Sequence, residues 1–349
     1  MFSQNDRLYM KRALQLAKLA GVESAPNPMV GSVIVHNSKI IGEGYHKKYG
    51  EAHAEVNAVN AVKDMSLLRS STIYVTLEPC AHHGKTPPCS DLIVQHQFKR
   101  VVVACKDTFS EVSGRGIEKM KKAGITVDVG LLEDEARELN KRFFTYHEKK
   151  RPYVILKWAQ TLDGFMDRLP EERSKGINWI TTPIMKTFVH RWRSKEQAIM
   201  VGWKTIANDN PSLTVREVEG ASPHRFIIDP ECQTPVDAKV LNDNKSTTII
   251  VKKNIFKKLP DSVEIVSIEK YSTKEILKVI YNRNMLSVFI EGGAHTLQKF
   301  INDDLWDEAR VIEGPVTFGK GLNSPVIQGA LERGLEEIEE NNIIYFRNS

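Results

Sequence analysis

Residues 53–55 read His-Ala-Glu, and residues 79–89 read Pro-Cys-Ala-His-His-Gly-Lys-Thr-Pro-Pro-Cys. One imidazole (His53) and two thiols (Cys80 and Cys89) can hold a tetrahedral zinc ion and leave its fourth position open for water, as in a catalytic site. Zinc lowers the pKa of a bound water, and Glu55 can carry its proton as a general acid and base. The signature of nucleobase deaminases is H-x-E followed by P-C-x-x-C. This pattern therefore predicts a zinc-dependent deaminase, with the second half stretched to eight residues between the cysteines.

Each piece also has an ordinary explanation. A single His-x-Glu pair is common on solvated helices, and two cysteines can be packed thiols or a disulfide. Together they favour a metal, because His53 begins an apolar helical run, Cys80 follows a β-branched strand (71–76), and Cys89 begins another helical run. Helix N-termini stabilise thiolates and carboxylates. A purely structural zinc site stays open as an alternative, since His82 or His83 could supply a fourth ligand.

The composition is that of a globular enzyme, with 349 residues, 41% of them hydrophobic and 27% charged. This length suggests two domains. The chain has no run of eighteen apolar residues and no signal peptide at its start. We therefore expect a cytoplasmic protein whose cysteines are reduced, which favours metal over a disulfide at Cys80 and Cys89 and packed thiols at Cys105 and Cys232.

The charge is distributed unevenly along the chain. Residues 1–150 hold 22 Lys and Arg against 17 Asp and Glu, whereas residues 151–349 hold 27 of each. A weak excess on the first half fits an anionic small-molecule substrate, while a nucleic-acid reader usually has a clustered basic stripe. We therefore expect no nucleic-acid partner and no membrane partner.

Strands alternate with helices in both halves, which predicts α/β folds, the first a three-layer sandwich. The charged stretch Glu148–Pro152 interrupts this alternation and predicts a boundary between domains 1–148 and 152–349. The expected strands are 32–35, 40–45, 71–76, 100–104, 126–129, 153–158, 198–201, 225–229, 247–251 and 286–290. The expected helices are one capped by Ser3 or Asn5 and ending at Gly21, then 117–123, 133–146, one capped by Thr182 and running to Arg193, and 273–281.

Two further stretches have an ordinary and a functional interpretation. Asn27 lies between Pro26 and Pro28, where it is a turn former or a side chain that contacts a ligand. Glu291 is followed by Gly292 and Gly293 between a strand and a helix, a turn whose amides could hold a phosphate but which is more often plain chain geometry.

With these residues in view, the whole chain resembles the bifunctional deaminase and reductase family of riboflavin biosynthesis. In the first half the resemblance rests on Pro26-Asn27-Pro28-x-Val30-Gly31, Gly44-Tyr45-His46, His53-Ala54-Glu55, Thr76-Leu77-Glu78-Pro79-Cys80, His83-Gly84-Lys85-Thr86-Pro87-Pro88-Cys89 and Ser113-Gly114-Arg115-Gly116. In the second half it rests on Lys157-x-Ala159-x-Thr161-Leu162-Asp163-Gly164, Trp179-Ile180-Thr181, Thr205, Asp209-x-Pro211-x-Leu213-Thr214-x-Arg216 and Glu291-Gly292-Gly293.

The resemblance implies a cytidine-deaminase-like three-layer sandwich with Zn²⁺, followed by a dihydrofolate-reductase-like α/β domain that uses NADPH. It places zinc on His53, Cys80 and Cys89, and proton transfer on Glu55. It assigns the pyrimidine ribose phosphate substrate to Asn27, His46, Lys85, Arg193, Leu213, Arg216 and Glu291. It assigns NADPH to Ala159, Trp179, Thr205, Asp209, Gly293, Ala294, His295, Thr296, Leu297, Gln298 and Lys299. Lys157, on a strand in the second half, is our candidate proton donor for the reduction, with a pairing to Asp163 or Glu291 as the alternative.

The rival interpretation is a zinc-dependent nucleoside or tRNA deaminase with a non-catalytic C-terminal domain. A tRNA deaminase predicts a tight P-C-x-x-C and a basic second half, and the sequence has neither. The chain departs from the family pattern in a longer polar segment that ends at Gly176–Trp179. We also expect a homo-oligomer.

Overall fold

The computed structural model describes residues 2–81, 87–108, 114–173, 178–255, 258–329 and 331–348. The chain divides into two compact units, Met1–Lys150 and Arg151–Ser349. None of the helices in these ranges is both long enough and apolar enough to cross a membrane.

The first unit is built on a five-stranded sheet in the order β2-β1-β3-β4-β5. Strand β1 pairs antiparallel with β2 and β3, and β3, β4 and β5 run parallel. The strands are β1 (Gly31–His36), β2 (Lys39–Tyr45), β3 (Thr72–Leu77), β4 (Arg100–Cys105) and β5 (Thr126–Val129). The helices are α1 (Gln4–Ala17), α2 (Ala54–Asn60), α3 (Cys89–Gln95), α4 (Arg115–Lys122), α5 (Glu133–Leu139) and α6 (Lys141–Lys149).

Helices cover both faces of this sheet. Successive strand residues point to opposite faces, so Ile73 and Tyr74 of β3 mark the two sides. Ile73 lies in a buried core that includes Ala58 of α2, Ile93 of α3 and Met120 of α4. Tyr74 packs against Tyr9 of α1 with the ring centroids 5.4 Å apart. The first unit is thus a layered α/β sandwich.

Two details of the expected helices in this unit are wrong. The helix expected over 133–146 is two helices, because Asn140 leaves the helical conformation (φ −104°, ψ 23°). Its side chain accepts a hydrogen bond from the Met29 backbone N–H (2.8 Å) and donates one to the Met29 carbonyl (2.9 Å). The first helix ends at Ala17, before Gly21, and Ser3 rather than Asn5 caps it in a capping box with Asp6.

The described residues of the second unit form a nine-stranded sheet in the order β11-β10-β9-β8-β12-β6-β13-β16-β15, with a separate β7–β14 pair. The strands from β11 through β13 are parallel to their neighbours, and β16 and β15 are antiparallel. The strands are β6 (Tyr153–Thr161), β7 (Phe165–Asp167), β8 (Ala198–Gly202), β9 (His224–Ile228), β10 (Thr247–Val251), β11 (Val263–Ser267), β12 (Ser287–Ile290), β13 (Glu308–Gly314), β14 (Leu322–Asn323), β15 (Leu331–Ile338) and β16 (Asn341–Arg347). The helices are α7 (Ile184–Arg193), α8 (Trp203–Asp209), α9 (Thr273–Tyr281) and α10 (Ala294–Asn302).

The expected cap of α7 is wrong. The helix begins at Ile184 with no side-chain cap. The Thr182 hydroxyl instead accepts a hydrogen bond from the Asn341 side chain (2.5 Å), and the Thr182 N–H donates to the same amide (3.1 Å). The Thr182 side chain, which we expected to cap the helix, therefore bonds to Asn341 at the start of β16.

The central strands β8, β12 and β6 are neighbours, and their carboxyl ends lie at the same edge of the sheet. Ligands of open parallel sheets bind at this edge. Strand β12 runs directly into Glu291, and β8 runs directly into α8. We therefore expect the ligand-binding site of the second unit at this edge of the sheet.

Candidate active sites

The three expected zinc ligands form one cluster in the first unit. His53 directly precedes α2, Cys80 follows β3, and Cys89 is the first residue of α3. His53 Nδ1 lies 3.3 Å from Cys89 Sγ and 3.6 Å from Cys80 Sγ, and the three ligand atoms all lie within 4.8 Å of one another. Bonds of about 2.0 to 2.3 Å around a tetrahedral zinc imply ligand separations of roughly 3.3 to 3.8 Å. The donor set therefore fits a zinc ion in both chemistry and spacing.

The pKa values of the two thiols in this cluster shift in opposite directions. The hydrogen bond with Cys89 is the largest effect on Cys80 and lowers the pKa of Cys80 to about 4, helped by His53 and by the Cys89 N–H, which donates to Cys80 Sγ (3.3 Å). The same contact, together with burial, raises the pKa of Cys89. The cluster is thus suited to a cation that binds thiolates.

Three side chains of the loop between Cys80 and Cys89 lie outside the described residues. They are His82 and His83, which we considered as a fourth ligand, and Lys85, which the resemblance assigns to substrate. Within the described residues the cluster consists of His53, Cys80 and Cys89.

Glu55 lies on the first turn of α2 beside this cluster. It is only 3% exposed and is hydrogen bonded with Cys89. Burial, and then the proximity of Cys80, raise the pKa of Glu55. A carboxyl group whose protonated form is stabilised in this way is suited to carry a proton during a reaction.

Asn27 and His46 lie next to the cluster. The His46 Nδ1–H donates to the Ala52 carbonyl (3.2 Å), which leaves Nε2 to accept a hydrogen bond from the Asn27 amide (3.1 Å). Burial lowers the pKa of His46, which keeps the ring neutral in this arrangement. The His46 and His53 rings meet edge to face with centroids 5.4 Å apart. Asn27 and His46, the two of the three first-domain substrate residues of the resemblance that the structure describes, therefore lie beside the metal ligands.

Glu78 holds the loop behind Cys80. Its carboxylate accepts hydrogen bonds from the N–H groups of Gly114 (3.0 Å), Gly116 (3.1 Å) and Ile117 (3.3 Å) at the start of α4. A Cβ on Gly116 would lie 2.1 Å from the Pro79 carbonyl oxygen. The sequence motif contains Glu78, but only the structure shows this positioning role.

A glycine on β2 sets how closely α2 approaches the sheet. A Cβ on Gly44 would lie 2.4 Å from the Ala58 nitrogen and 2.6 Å from the Ala54 carbonyl oxygen. We expect Gly44→Ala to displace α2, and with it His53 and Glu55, at a cost of about 1–3 kcal/mol in the free energy of unfolding.

Metal analysis and thermal unfolding would measure this effect, with Gly334→Ala as the control because no atom lies within 4 Å of a Cβ added there. Full zinc content and an unchanged Tm in Gly44→Ala would contradict this account of the packing.

In the second unit, a cavity of about 340 Å³ lies at the carboxyl edge of the sheet. Our candidate proton donor Lys157 lines it, together with eight residues that the resemblance assigns to the reductase: Ala159, Trp179, Arg193, Thr205, Asp209, Leu213, Arg216 and Glu291. The assigned stretch Gly293–Lys299 is not part of this lining. It lies next to it, because a Cβ on Gly293 would be 3.7 Å from Thr205 Oγ1.

A buried charge cluster lies in this cavity. Arg193 donates from Nε to Glu291 Oε1 (2.5 Å) and from Nη2 to Oε2 (2.8 Å), and its Nη1 donates to the Thr214 carbonyl (3.2 Å). Lys157 Nζ lies 4.0 Å from Glu291 Oε2. Burial, partly offset by Glu291, lowers the pKa of Lys157. Although burial alone would raise the pKa of Glu291, its contacts with Arg193 lower it.

This cluster decides between the two alternative partners of Lys157. Lys157 pairs with Glu291, because its Nζ lies 4.0 Å from Glu291 Oε2. Asp163 instead accepts hydrogen bonds from the Thr161 hydroxyl (2.5 Å) and from the Gly319 N–H (2.7 Å). Lys157 thus faces the cavity beside Glu291.

Sequence reasoning missed Arg173, which also lines the cavity. Its guanidinium donates to Asp167 (2.6 Å) and forms an ion pair with Asp209. Asn178 donates to the same Asp167 (2.9 Å). Arg173 belongs to the long polar segment that departs from the family pattern, where nothing but its charge distinguishes it in the sequence.

His190 was also missed, although it lies one helical turn before Arg193 on α7. Its Nδ1 accepts a hydrogen bond from the Arg216 N–H (2.9 Å). Burial lowers the pKa of His190 to about 4, so the ring is neutral near pH 7. His190 therefore holds the backbone of the segment that carries Leu213 and Arg216.

Two family models match the chain. The cytidine and deoxycytidylate deaminase zinc-binding region matches residues 3–105, and the RibD C-terminal domain matches residues 152–342. The riboflavin biosynthesis protein RibD of Aquifex aeolicus is 41% identical over 98% of this chain and 94% of its own length. The protein of the same name from Escherichia coli K12 is 33% identical over 94% of this chain and 92% of its own length.

Solved structures show the same likeness over the full chain. A diaminohydroxyphosphoribosylaminopyrimidine deaminase/5-amino-6-(5-phosphoribosylamino)uracil reductase from Thermotoga maritima has a TM-score of 0.89 and 35% identity, covering 99% of both chains. RibD of Acinetobacter baumannii, form 1, has a TM-score of 0.89 and 31% identity, also covering 99% of both chains. These matches confirm the predicted fold class, a deaminase-like domain followed by a reductase-like domain.

Proposed function

Because the chain belongs to the RibD family of bifunctional deaminases and reductases in riboflavin biosynthesis, we propose a substrate and a role for each of its two sites. The first domain deaminates 2,5-diamino-6-(5-phosphoribosylamino)pyrimidin-4-one, and the second reduces the ribosyl side chain of the product to a ribityl chain with NADPH. The rival interpretation, a nucleoside or tRNA deaminase with a non-catalytic C-terminal domain, lacks support, because that domain matches a reductase family.

In the first site, His53, Cys80 and Cys89 hold Zn²⁺. Bound zinc would act as a Lewis acid that activates a water molecule near neutral pH. Asn27 and His46 orient the pyrimidine next to these ligands. Glu55 accepts a proton from the water and delivers it to the leaving amine, so that water adds to the amino-bearing carbon and ammonia leaves. The buried position of Glu55 against Cys89 supports this role.

In the second site, bound NADPH would supply the hydride that reduces the first carbon of the ring-opened sugar imine. The protein must hold donor and acceptor about 3–3.5 Å apart. Lys157 delivers the proton that the imine nitrogen takes up, and Glu291, fixed by Arg193, holds the lysine in place. Ala159, Trp179, Thr205, Asp209 and the Gly293–Lys299 turn bind the cofactor, while Leu213 and Arg216 contact the substrate.

The observation that carries the proposal is the zinc cluster with a buried carboxylate beside it, in a chain that also has a separate polar cavity. Its test is metal removal from the whole protein. We expect the chelated protein to stop releasing ammonia and to keep oxidising NADPH when it is given the deaminated intermediate. Added Zn²⁺ restores ammonia release.

Metal analysis of the chelated sample is the necessary control. Ammonia release from a sample that contains no zinc would contradict the metal assignment. The cytoplasmic location, the homo-oligomer and the substrate contact of Lys85 stay predictions from the sequence.

A further inference from the structure

Five cationic side chains line the cavity of the second unit: Lys157, Arg173, Lys186, Arg193 and Arg216. Three of them form ion pairs with carboxylates that line the same cavity. Lys157 and Arg193 face Glu291, and Arg173 pairs with Asp167 and Asp209. Lys186 and Arg216 make no ion pair with any residue that the structure describes. They are the two lining cations with charge available for a ligand.

The roles that we propose above include Arg216 but leave Lys186 without one. Lys186 lies on the first turn of α7, and its Nζ lies 4.1 Å from the centre of the Trp179 ring. Trp179 is 55% exposed and lines the cavity. A cation over an aromatic face is held there by electrostatic attraction. The lysine on this exposed helix turn is therefore kept at the cavity instead of pointing freely into solvent.

We propose that Lys186, held over Trp179, binds a phosphate group of a ligand in this cavity. The proposal rests on the reductase function proposed above, whose two ligands both carry phosphate. An ammonium group without a carboxylate partner can bind a phosphate without breaking an ion pair. Arg173 and Arg193 would each have to give up carboxylate contacts, which makes them poor phosphate ligands.

The phosphate has two sources, the dinucleotide cofactor or the 5′-phosphate of the substrate. The test uses the full chain with Lys186→Gln and measures the Kd for NADPH and NADH by fluorescence. It also measures KM for the deaminated substrate and for its dephosphorylated analogue. We expect at least one phosphate-bearing ligand to lose about tenfold in affinity, as the loss of a hydrogen bond to a charged group implies. Lys186→Arg should restore most of that affinity.

The matched control is Arg191→Gln, which removes one positive charge from the same helix at an exposed position that does not line the cavity. We expect all four constants of this variant to stay within about twofold of the parent, because exposed charges at a distance are screened.

The set of ligands that lose affinity in Lys186→Gln identifies which phosphate group Lys186 binds. A loss for NADPH but not NADH assigns the 2′-phosphate, and equal losses for both assign the pyrophosphate. A loss confined to the phosphorylated substrate assigns the 5′-phosphate. The proposal is overturned if Lys186→Gln changes none of the four constants, or if Arg191→Gln changes them equally. With an active parent, that result leaves the reductase function standing. A parent that neither binds NADPH nor reduces the intermediate overturns both.

Discussion

Glu55→Gln is expected to lower the rate of ammonia release by about 10³-fold while the protein keeps its zinc. The amide has nearly the same shape as the carboxyl group, but it cannot accept a proton from water and pass it to the leaving amine. Because Glu55 is not one of the three metal ligands, metal content should not change. Ammonia release under saturating substrate and metal analysis of the same sample measure the two quantities.

Glu135→Gln is the matched control, since Glu135 is exposed on α5 and its replacement should have no effect. Reduction of the deaminated intermediate with NADPH should continue at the parental rate in both variants. Ammonia release by Glu55→Gln at close to the parental rate would show that another group carries the proton.

Lys157→Ala is expected to slow reduction of the deaminated intermediate by about 10²-fold or more while NADPH still binds. The lysine is the proton donor in our account, whereas cofactor binding is distributed over many residues of the cavity. Single-turnover oxidation of NADPH measures the reduction step, and fluorescence titration measures cofactor binding. A parental rate in this variant would exclude Lys157 as the donor.

The rate of this reduction should fall at alkaline pH if Lys157 is the proton donor. A donor must be protonated, so the parental rate falls as the pH rises through the pKa of Lys157. Burial lowers that pKa from its usual 10.5, so we expect the fall to begin below pH 10.5. The residual activity of Lys157→Ala should lack this alkaline limb. A limb of the same midpoint in both proteins would assign it to another group.

The zinc cluster could be predicted from the sequence because its residues lie in short motifs at element ends. A ligand that directly precedes a helix, as His53 does, or begins one, as Cys89 does, is fixed by local structure. The spacing of three motifs was therefore enough to predict the cluster. The contact between Asn27 and His46 spans nineteen residues, and only the resemblance placed both at the site.

The cavity of the second unit could not be predicted from the spacing of sequence motifs. Its lining extends from Lys157 to Ile312, and the sheet order that gathers these residues is set by long-range strand pairing. The C-terminal strands β13, β15 and β16 were not predicted, nor was helix α8. The break at Asn140 and the contact of Thr182 with Asn341 depend on partners 111 and 159 residues away. Local patterns contain no signal for such contacts.

The central claim is that one chain carries out both reactions in sequence. Its most direct test is to give the purified full-length protein the diaminopyrimidinone ribose phosphate, with and without NADPH, and to identify the products by mass spectrometry. We predict that, without NADPH, one ammonia is released per substrate and the deaminated ribosyl compound accumulates. With NADPH, the ribityl product forms and one NADPH is oxidised per molecule. Unchanged substrate in both reactions, or a deaminated compound that NADPH does not convert, would contradict the account.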